Sequence, residues 1–238
     1  MSNDITMDKK TSEYVIAYLD MLGTSDRAND SEKSNSFLNR LYYLYKIIKE
    51  DSIREGCGEV EVRFSSDSII IAAKLSDQYM RTEGIKNVLY WATRFQSSSA
   101  TDEISCLVRG SITIGQLFID ELMVYGSALV RAVELEKSIA IYPRVVIDPE
   151  KLTEFSSLKE ANQFLLEDFD GIYFLNYMGY LEIVDKSVKE CFETIKSEAP
   201  RKKNNSYKDK VYQKLCWHVK YMNIQLKNWN PNSKGISL

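Results

Sequence analysis

The chain has 238 residues, of which 44% are hydrophobic and 27% are charged, as is usual for a soluble globular protein. Its 31 basic and 34 acidic residues give a net charge of −3 at pH 7, which argues against a general nucleic-acid binder. The one histidine, His218, excludes a multi-histidine metal site, an HExxH protease and a histidine relay. Enzymatic chemistry would therefore use carboxylates, hydroxyls, arginines or a bound metal.

The cysteines and the apolar runs indicate the compartment. None of the cysteines forms a C-x-x-C pair, which argues against a zinc ribbon and favours reduced thiols. The first residues, MSNDITMDKKTSEY, are too polar for the core of a signal peptide. No apolar run approaches the roughly 20 residues that span a bilayer. These features predict a soluble cytoplasmic protein with no membrane or nucleic-acid partner.

The first half of the chain has a regular order of predicted elements. Residues 1–12 are predicted to be a disordered leader. The residue patterns after them predict strand, helix, strand, strand, helix and strand. These six elements cover residues 14–20, 29–49, 59–64, 68–73, 77–96 and 104–114. Their order is that of a ferredoxin-like βαββαβ unit, so we expect an α+β fold.

The second half is predicted to add shorter elements and a final helix. Residues 117–119 are expected to form the hairpin partner of the sixth element. The other predicted elements are a helix over 126–137, a strand over 145–147, helical residues 150–167, β-prone residues 172–183, helical residues 184–197, a polar linker over 200–206 and a helix over 207–226.

Two aspartates occupy notable positions in this order. Asp20 ends the first strand, and Asp67 lies in the hairpin turn. In a ferredoxin-like sheet the first strand neighbours the hairpin, so the two carboxylates are expected to meet. Paired negative charges need a cation, and oxygen ligands favour Mg²⁺ or Mn²⁺, which suits phosphoryl transfer. The alternative is that both aspartates are ordinary turn formers.

Five segments in order carry a family resemblance. They are AYLDMLG, FSSDSIIIA, VRGSITIGQLF, VYGSALVRAVELEKSIAIYPRVVID and the K-x-x-W of Lys214 and Trp217. Over residues 14–148 the chain resembles class III nucleotide cyclase catalytic domains, and more closely the bacterial pyrimidine cyclases of the Pycsar anti-phage system. The resemblance implies a catalytic domain over residues 13–150 and a C-terminal helical extension over 151–238 that packs on the same domain or the dimer.

The resemblance also implies an activity. The protein would be a homodimer with active sites at the interface, and it would convert UTP to 3′,5′-cyclic UMP and diphosphate. The alternative substrate is CTP, which would give cyclic CMP. The product would be a second messenger for a separate effector in anti-phage defence.

The implied site centres on the two aspartates. Asp20, Asp67 and the backbone carbonyl of Met21 would bind two Mg²⁺ or Mn²⁺ ions, which would activate the ribose 3′-hydroxyl for attack on the α-phosphate. The triphosphate would be bound by the backbone N–H groups of Leu22, Gly23 and Thr24, as amides that lead into a helix can bind phosphate.

The chain departs from the family at the positions that read the base. Adenylate cyclases have a lysine where this chain has Arg63, and an aspartate where it has Met123. Arg63 can donate two hydrogen bonds to the acceptors of uracil or cytosine, which favours a pyrimidine. The alternative is that Arg63 is simply a solvent-facing strand residue.

A second departure concerns the transition-state arginine. Purine cyclases have an asparagine and an arginine where this chain has Val130 and Glu134. Arg131 and Arg144 are therefore the candidates to stabilise the pentavalent phosphate. Arg109 is expected to brace the sheet edge rather than a phosphate.

Two rival functions remain open. A non-catalytic cyclase-like scaffold would bind nucleotide without turning it over, which agrees with the replaced asparagine and arginine. A polymerase or nuclease palm would use the same two carboxylates, but the charge of −3 and the missing basic strip argue against it.

Overall fold

The computed structural model describes residues 8–24, 31–54, 60–65, 67–101, 106–178, 193, 206–229, 231–232 and 234–236. Its strands are β1 (Ser12–Met21), β2 (Val60–Ser65), β3 (Ser68–Lys74), β4 (Val108–Ile119), β5 (Val124–Tyr125), β6 (Val145–Ile147), β7 (Leu165–Glu167) and β8 (Tyr173–Leu175). Its helices are α1 (Ser31–Arg54), α2 (Gln78–Thr101), α3 (Ser127–Ser138), α4 (Leu152–Ser156), α5 (Ala161–Phe164) and α6 (Ser206–Trp229), with a 3₁₀ turn at Pro149–Lys151.

The strands form one mixed sheet in the spatial order β2-β3-β1-β4-β6-β8-β7, and β5 pairs with the end of β4. The predicted order of the first six elements is confirmed, and their neighbour relations are those of a ferredoxin-like unit. The central strand β1 is antiparallel to both β3 and β4. Its C-terminal end therefore lies beside the turn between β2 and β3.

Alternating side chains of β1 supply two cores on opposite faces of the sheet. Val15, Ala17 and Leu19 pack in the large core beneath α1 and α2. Ile16 packs on the other face with Ala128 of α3. Because successive side chains of a strand point to opposite faces, Asp20 lies on the α3 face.

The predicted hairpin partner at residues 117–119 is wrong, because β4 continues through Ile119 and the return strand is β5. Gly115 does not break the strand. A Cβ there would lie 3.3 Å from the Cβ of Ala128, so its missing side chain gives α3 room to pack. The reversal comes at Asp120, whose Oδ1 accepts hydrogen bonds from the N–H groups of Leu122 (2.9 Å) and Met123 (3.0 Å).

The later predictions are partly confirmed. The helical residues expected over 150–167 divide into short helices and end in β7, where pairing with β8 overrides the local helical pattern. The final helix and the strand over 145–147 are confirmed. Residues 1–7 of the predicted leader, nearly all of the helix over 184–197 and residues 200–205 of the linker lie outside the described residues. Among the helices that the structure does describe, none has the length and apolarity to cross a bilayer.

The C-terminal helix packs on the same sheet as the first half of the chain. The aromatic rings of Trp217 and Tyr221 lie edge-on to the ring of Phe174 in β8, each with centroids 5.5 Å apart. Because β7 and β8 join the sheet beside β6, the elements after residue 150 extend it. The proposed boundary at residue 150 stays a prediction.

The single histidine lies inside this C-terminal packing. His218 is 2% exposed, its ring stacks on that of Tyr177, and its Nε2 lies 3.3 Å from the Tyr177 hydroxyl. Burial lowers the pKa of His218 to about 3. The imidazole is therefore neutral in the folded protein, as expected for a packing residue.

We predict that His218 makes the protein less stable as the pH falls. The unfolded chain takes up the proton near pH 6.5 and the folded protein only near pH 3, so acidification between these values favours unfolding. From pH 7.5 to pH 5 the histidine should remove about 2 kcal/mol of unfolding free energy. Urea unfolding of the wild type and His218→Gln at both pH values measures this, because the carboxylate contributions cancel in the difference. An equal loss in both proteins would contradict it.

Candidate active site

The C-terminal end of β1 brings the two predicted carboxylates together. Asp20 pairs in register with Ser68 of β3 on one side and with Arg109 of β4 on the other. Asp67 immediately precedes Ser68, and its backbone carbonyl accepts a hydrogen bond of 3.1 Å from the N–H of Met21. Asp20, Met21 and Asp67 therefore share one edge of the sheet.

The loop after β1 contributes a hydroxyl to this edge. Thr24 Oγ1 donates a hydrogen bond of 2.7 Å to Asp67 Oδ2 and lies 3.5 Å from the carbonyl oxygen of Met21. Gly23 has φ +82°, a left-handed conformation that favours glycine and reverses the chain here. The N–H of Leu22, one of three predicted phosphate donors, is bonded to the carbonyl of Leu107 at 2.8 Å. The backbone N–H groups of Gly23 and Thr24 therefore remain the candidate donors to phosphate.

Cationic side chains from β4 and α6 approach Asp20. Arg109 Nε donates to Asp20 Oδ2 at 3.1 Å, and its Nη2 lies 2.6 Å from Oε1 of Glu136, which is 3% exposed. Lys214 of α6 interacts electrostatically with Arg109, Asp20 and Glu136. We call Asp20, Asp67, Arg109, Glu136 and Lys214 the polar cluster.

The electrostatics of the polar cluster favour an additional cation. Burial raises the pKa of the Asp20 carboxyl, Arg109 opposes this, and the charge of Asp67 adds to the increase. Burial also raises the pKa of Glu136 and lowers that of Lys214. A cation between Asp20 and Asp67 would stabilise both ionised carboxylates.

The donor atoms fit Mg²⁺ or Mn²⁺. The carboxylates of Asp20 and Asp67 and the carbonyl of Met21 are hard oxygen ligands, which these ions prefer. Among the residues that the structure describes, no three histidine, cysteine or acidic side chains form a metal-ligand group. The two carboxylates would therefore share each ion with backbone, water or phosphate oxygens.

The predicted transition-state arginines are held elsewhere. Arg131 makes a forked pair with Asp148, at 3.0 and 2.8 Å, and Asp148 also accepts a hydrogen bond from Thr113. Thr113 is four residues along β4 from Arg109, which corresponds to about 13 Å. Arg144 is 1% exposed and pairs with Asp168 and Asp170. The structure brings neither guanidinium to Asp20 or Asp67, so their catalytic role stays a prediction.

The two positions that the resemblance links to base reading lie at one turn. Arg63 Nε donates to the carbonyl of Asp120 at 2.8 Å, and Asp120 Oδ1 accepts a hydrogen bond from the N–H of Met123. Arg63 also donates to the carbonyl of Val62 at 2.8 Å and pairs with Glu61 at 2.7 Å. The Arg63 side chain is therefore held by polar contacts and does not simply extend into solvent. Its role in reading a base stays a prediction.

Sequence reasoning missed Glu136 and the side chain of Thr24, and it left Lys214 and Arg109 without a catalytic role. One signal was available: Glu136 lies on the same face of α3 as the buried Ala128, Ala132 and Leu135. A glutamate in an apolar helical stripe indicates a buried charge that needs a partner.

Comparisons with known proteins give matches in structure alone. No protein-family model matches the chain, and no curated protein matches it in sequence. The guanylyl cyclase domain of the RhoGC fusion protein from the aquatic fungus Blastocladiella emersonii is 12% identical over 71% of this chain and 96% of that chain, with a TM-score of 0.53.

Two other solved structures are similar. The catalytic core of a rhodopsin-guanylyl cyclase with converted specificity, in complex with ATPalphaS, is 12% identical over 71% of this chain and 97% of that chain, with a TM-score of 0.52. The adenylyl cyclase CyaB from P. aeruginosa is 13% identical over 71% and 96% of the two chains, with a TM-score of 0.50. The chain therefore has the α+β fold of class III nucleotide cyclase catalytic domains.

Proposed function

We propose that the protein is a nucleotide cyclase that converts a pyrimidine nucleoside triphosphate into its 3′,5′-cyclic monophosphate and diphosphate. UTP is the first candidate substrate and CTP the second. The observation that carries the proposal is the meeting of Asp20, Asp67 and the Met21 carbonyl beside two cationic side chains. The fold supports this function because the similar structures are adenylyl and guanylyl cyclases.

The carboxylates of Asp20 and Asp67 and the carbonyl of Met21 would hold two Mg²⁺ or Mn²⁺ ions. When bound, such ions lower the pKa of a coordinated hydroxyl and neutralise phosphate charge. The hydroxyl of Thr24 fixes the orientation of the Asp67 carboxylate through its 2.7 Å hydrogen bond. The site would therefore be oriented before substrate binds, which is how electrostatic stabilisation is most effective.

Arg109 and Lys214 are the cations that would bind the triphosphate. In the reaction the ribose 3′-hydroxyl loses its proton to solvent and its oxygen bonds to the α-phosphorus. The bond from the α-phosphorus to the oxygen that bridges the α- and β-phosphates breaks, and diphosphate leaves with the added negative charge. A guanidinium and an ammonium beside the carboxylates can stabilise that charge. Glu136 would hold Arg109 in place through its 2.6 Å ion pair.

The turn at Asp120 supports a pyrimidine substrate. At this turn Asp120 accepts hydrogen bonds from the Arg63 side chain and from the N–H of Met123. Arg63 supplies hydrogen-bond donors, and Met123 has no carboxylate that could accept a hydrogen bond from a base. Uracil presents acceptors at O2 and O4, and cytosine presents them at O2 and N3. The Arg63 guanidinium can donate to the carbonyl oxygens of either base, whereas adenine carries no carbonyl oxygen.

The remaining features of the proposal are a homodimer, a cytoplasmic location and an anti-phage second messenger. Exposed apolar residues of the β4–β5 turn, of β5 and of α3 support a dimer, since Leu122 is 92% exposed, Tyr125 66% and Val130 59%. The effector would be a separate protein that binds the cyclic nucleotide. Residues 151–238 would pack on the catalytic domain or the dimer.

The second candidate is a nucleotide-binding scaffold without turnover. The hydrogen bond from Arg109 to Asp20 Oδ2 favours it, because that bond occupies an oxygen that a metal would need. Val130 and Glu134 favour it as well, since they replace the asparagine and arginine of purine cyclases. A scaffold would bind a nucleoside triphosphate and release it unchanged.

An equimolar mixture of UTP, CTP, ATP and GTP tests both candidates. We expect the full-length protein with Mn²⁺ to form mainly cyclic UMP and less cyclic CMP, as identified by mass spectrometry. Cyclic AMP or cyclic GMP as the main product would contradict the pyrimidine assignment. Calorimetric binding of a triphosphate without any cyclic product would select the scaffold.

A further inference from the structure

The helix α6 carries two residues of the K-x-x-W segment on one face. Lys214 interacts electrostatically with Asp20, Arg109 and Glu136, and Trp217 follows three residues later. Residues at this spacing are neighbours on the surface of a helix. The contacts of Trp217 therefore fix the part of α6 from which the Lys214 side chain extends.

Trp217 is anchored by one directed hydrogen bond. Its indole Nε1 donates to Oδ2 of Asp168 at 2.7 Å. Its ring stacks on Tyr142, with centroids 5.8 Å apart and planes 9° apart, and on Tyr221, with values of 5.6 Å and 14°. The ring contacts tolerate sliding, whereas a hydrogen bond to a fixed carboxylate does not.

Asp168 is fixed in turn by a buried arginine. The Arg144 side chain pairs with Asp168 and with both oxygens of Asp170, at 3.0 and 2.5 Å, and lies over the ring of Tyr142. The backbone carbonyl of Arg144 accepts a hydrogen bond of 3.1 Å from the N–H of Gly110, the residue after Arg109. A continuous set of contacts thus joins α6 to the part of β4 that carries Arg109.

We propose that Asp168 and Trp217 are positioning residues, which hold α6 so that the Lys214 ammonium faces the phosphates of the substrate. The proposal rests on the proposed function, because it takes Lys214 to be a phosphate ligand. It gives the 168–171 turn and the C-terminal helix a role in substrate binding. It also explains the spacing of lysine and tryptophan, since one helical turn links the anchor to the ligand.

Calorimetric binding of inorganic tripolyphosphate with Mg²⁺ tests the proposal in a double-mutant cycle. We expect Lys214→Met to weaken binding about tenfold, as loss of a charged hydrogen bond does. Trp217→Phe keeps the stacked ring but loses the indole donor, and it should weaken binding about threefold to tenfold. In the Lys214→Met background, Trp217→Phe should have no further effect, because its action passes through Lys214.

Tyr221→Phe is the matched control on the same helix. The Tyr221 hydroxyl donates to Asn176 Oδ1 at 2.8 Å and accepts from the N–H of Met178 at 3.0 Å, without touching Asp168. This variant should lose stability yet keep the wild-type affinity for tripolyphosphate. If it weakens binding as much as Trp217→Phe, the effect is general loosening of α6 and the proposal is wrong.

Three further outcomes would overturn the proposal. The first is that Trp217→Phe binds tripolyphosphate as tightly as the wild type, and the second is that it weakens binding equally in the wild type and in Lys214→Met. The third is that the wild type does not bind tripolyphosphate. The failure of the proposed function is distinguishable from these. A protein that binds tripolyphosphate through Lys214 but forms no cyclic nucleotide is not a cyclase, and the cycle still measures the coupling of Trp217 to Lys214.

Discussion

Asp67→Asn and Asp20→Asn are each expected to slow cyclic nucleotide formation by about a thousandfold or more. An amide has the shape of a carboxylate but lacks the charge that holds a divalent cation. Both variants should fold. The amide oxygen introduced at position 67 would still accept the hydrogen bond from Thr24, and burial already disfavours the charge of Asp20. The rate is measured by separating product from triphosphate, and folding by thermal unfolding.

Asp77→Asn is the matched control for these variants. The Asp77 carboxylate accepts a hydrogen bond of 2.9 Å from the N–H of Met80 at the start of α2, and asparagine caps a helix equally well. Asp77 follows the opposite end of β3, about 20 Å from Ser68 along the strand. Its variant should keep wild-type activity. A rate in Asp67→Asn within tenfold of the wild type would refute the role of the two aspartates.

Arg144→Met is expected to destabilise the protein by about 3–5 kcal/mol, because it leaves the carboxylates of Asp168 and Asp170 without their buried partner. The Arg144 guanidinium lowers the pKa of Asp170 through a hydrogen bond, which favours the ionised carboxylate. Urea unfolding at neutral pH measures the change in free energy.

A triple variant provides the control for Arg144. Arg144→Met combined with Asp168→Asn and Asp170→Asn removes the whole charge group, so it should recover most of the lost stability. These outcomes distinguish a structural arginine from a catalytic one. A single Arg144→Met variant with wild-type stability and no cyclase activity would contradict the structural role and favour the transition-state role that the sequence suggested.

The parts of the fold with a strong residue period were predictable from the sequence. The strand at Asp20, the hairpin at Asp67 and the final helix all agree with the structure. The end of β4 was not predictable, because Gly115 does not form a turn but allows α3 to pack closely. Its packing partner, Ala128, lies thirteen residues further along the chain, and a local sequence pattern does not show that contact. The same holds for β7, which forms only because β8 pairs with it.

The residues of the candidate site were likewise predictable from the sequence only in part. Asp20 and Asp67 were found because topology alone places the ends of their elements together. Glu136 and Lys214 come from α3 and α6, and no spacing in the sequence shows that these helices meet at Asp20. Arg131 and Arg144 were predicted to stabilise the transition state because arginine suits a pentavalent phosphate. Their carboxylate partners, Asp148 and Asp168, become apparent only in three dimensions.

The stoichiometry of the reaction tests the proposed cyclase activity. The full-length protein is incubated with UTP and Mn²⁺, and cyclic UMP and diphosphate are quantified in the same samples. We expect equal amounts of both products from the wild type, and neither product from Asp67→Asn. Unchanged UTP, or diphosphate accompanied by UMP instead of cyclic UMP, would contradict it.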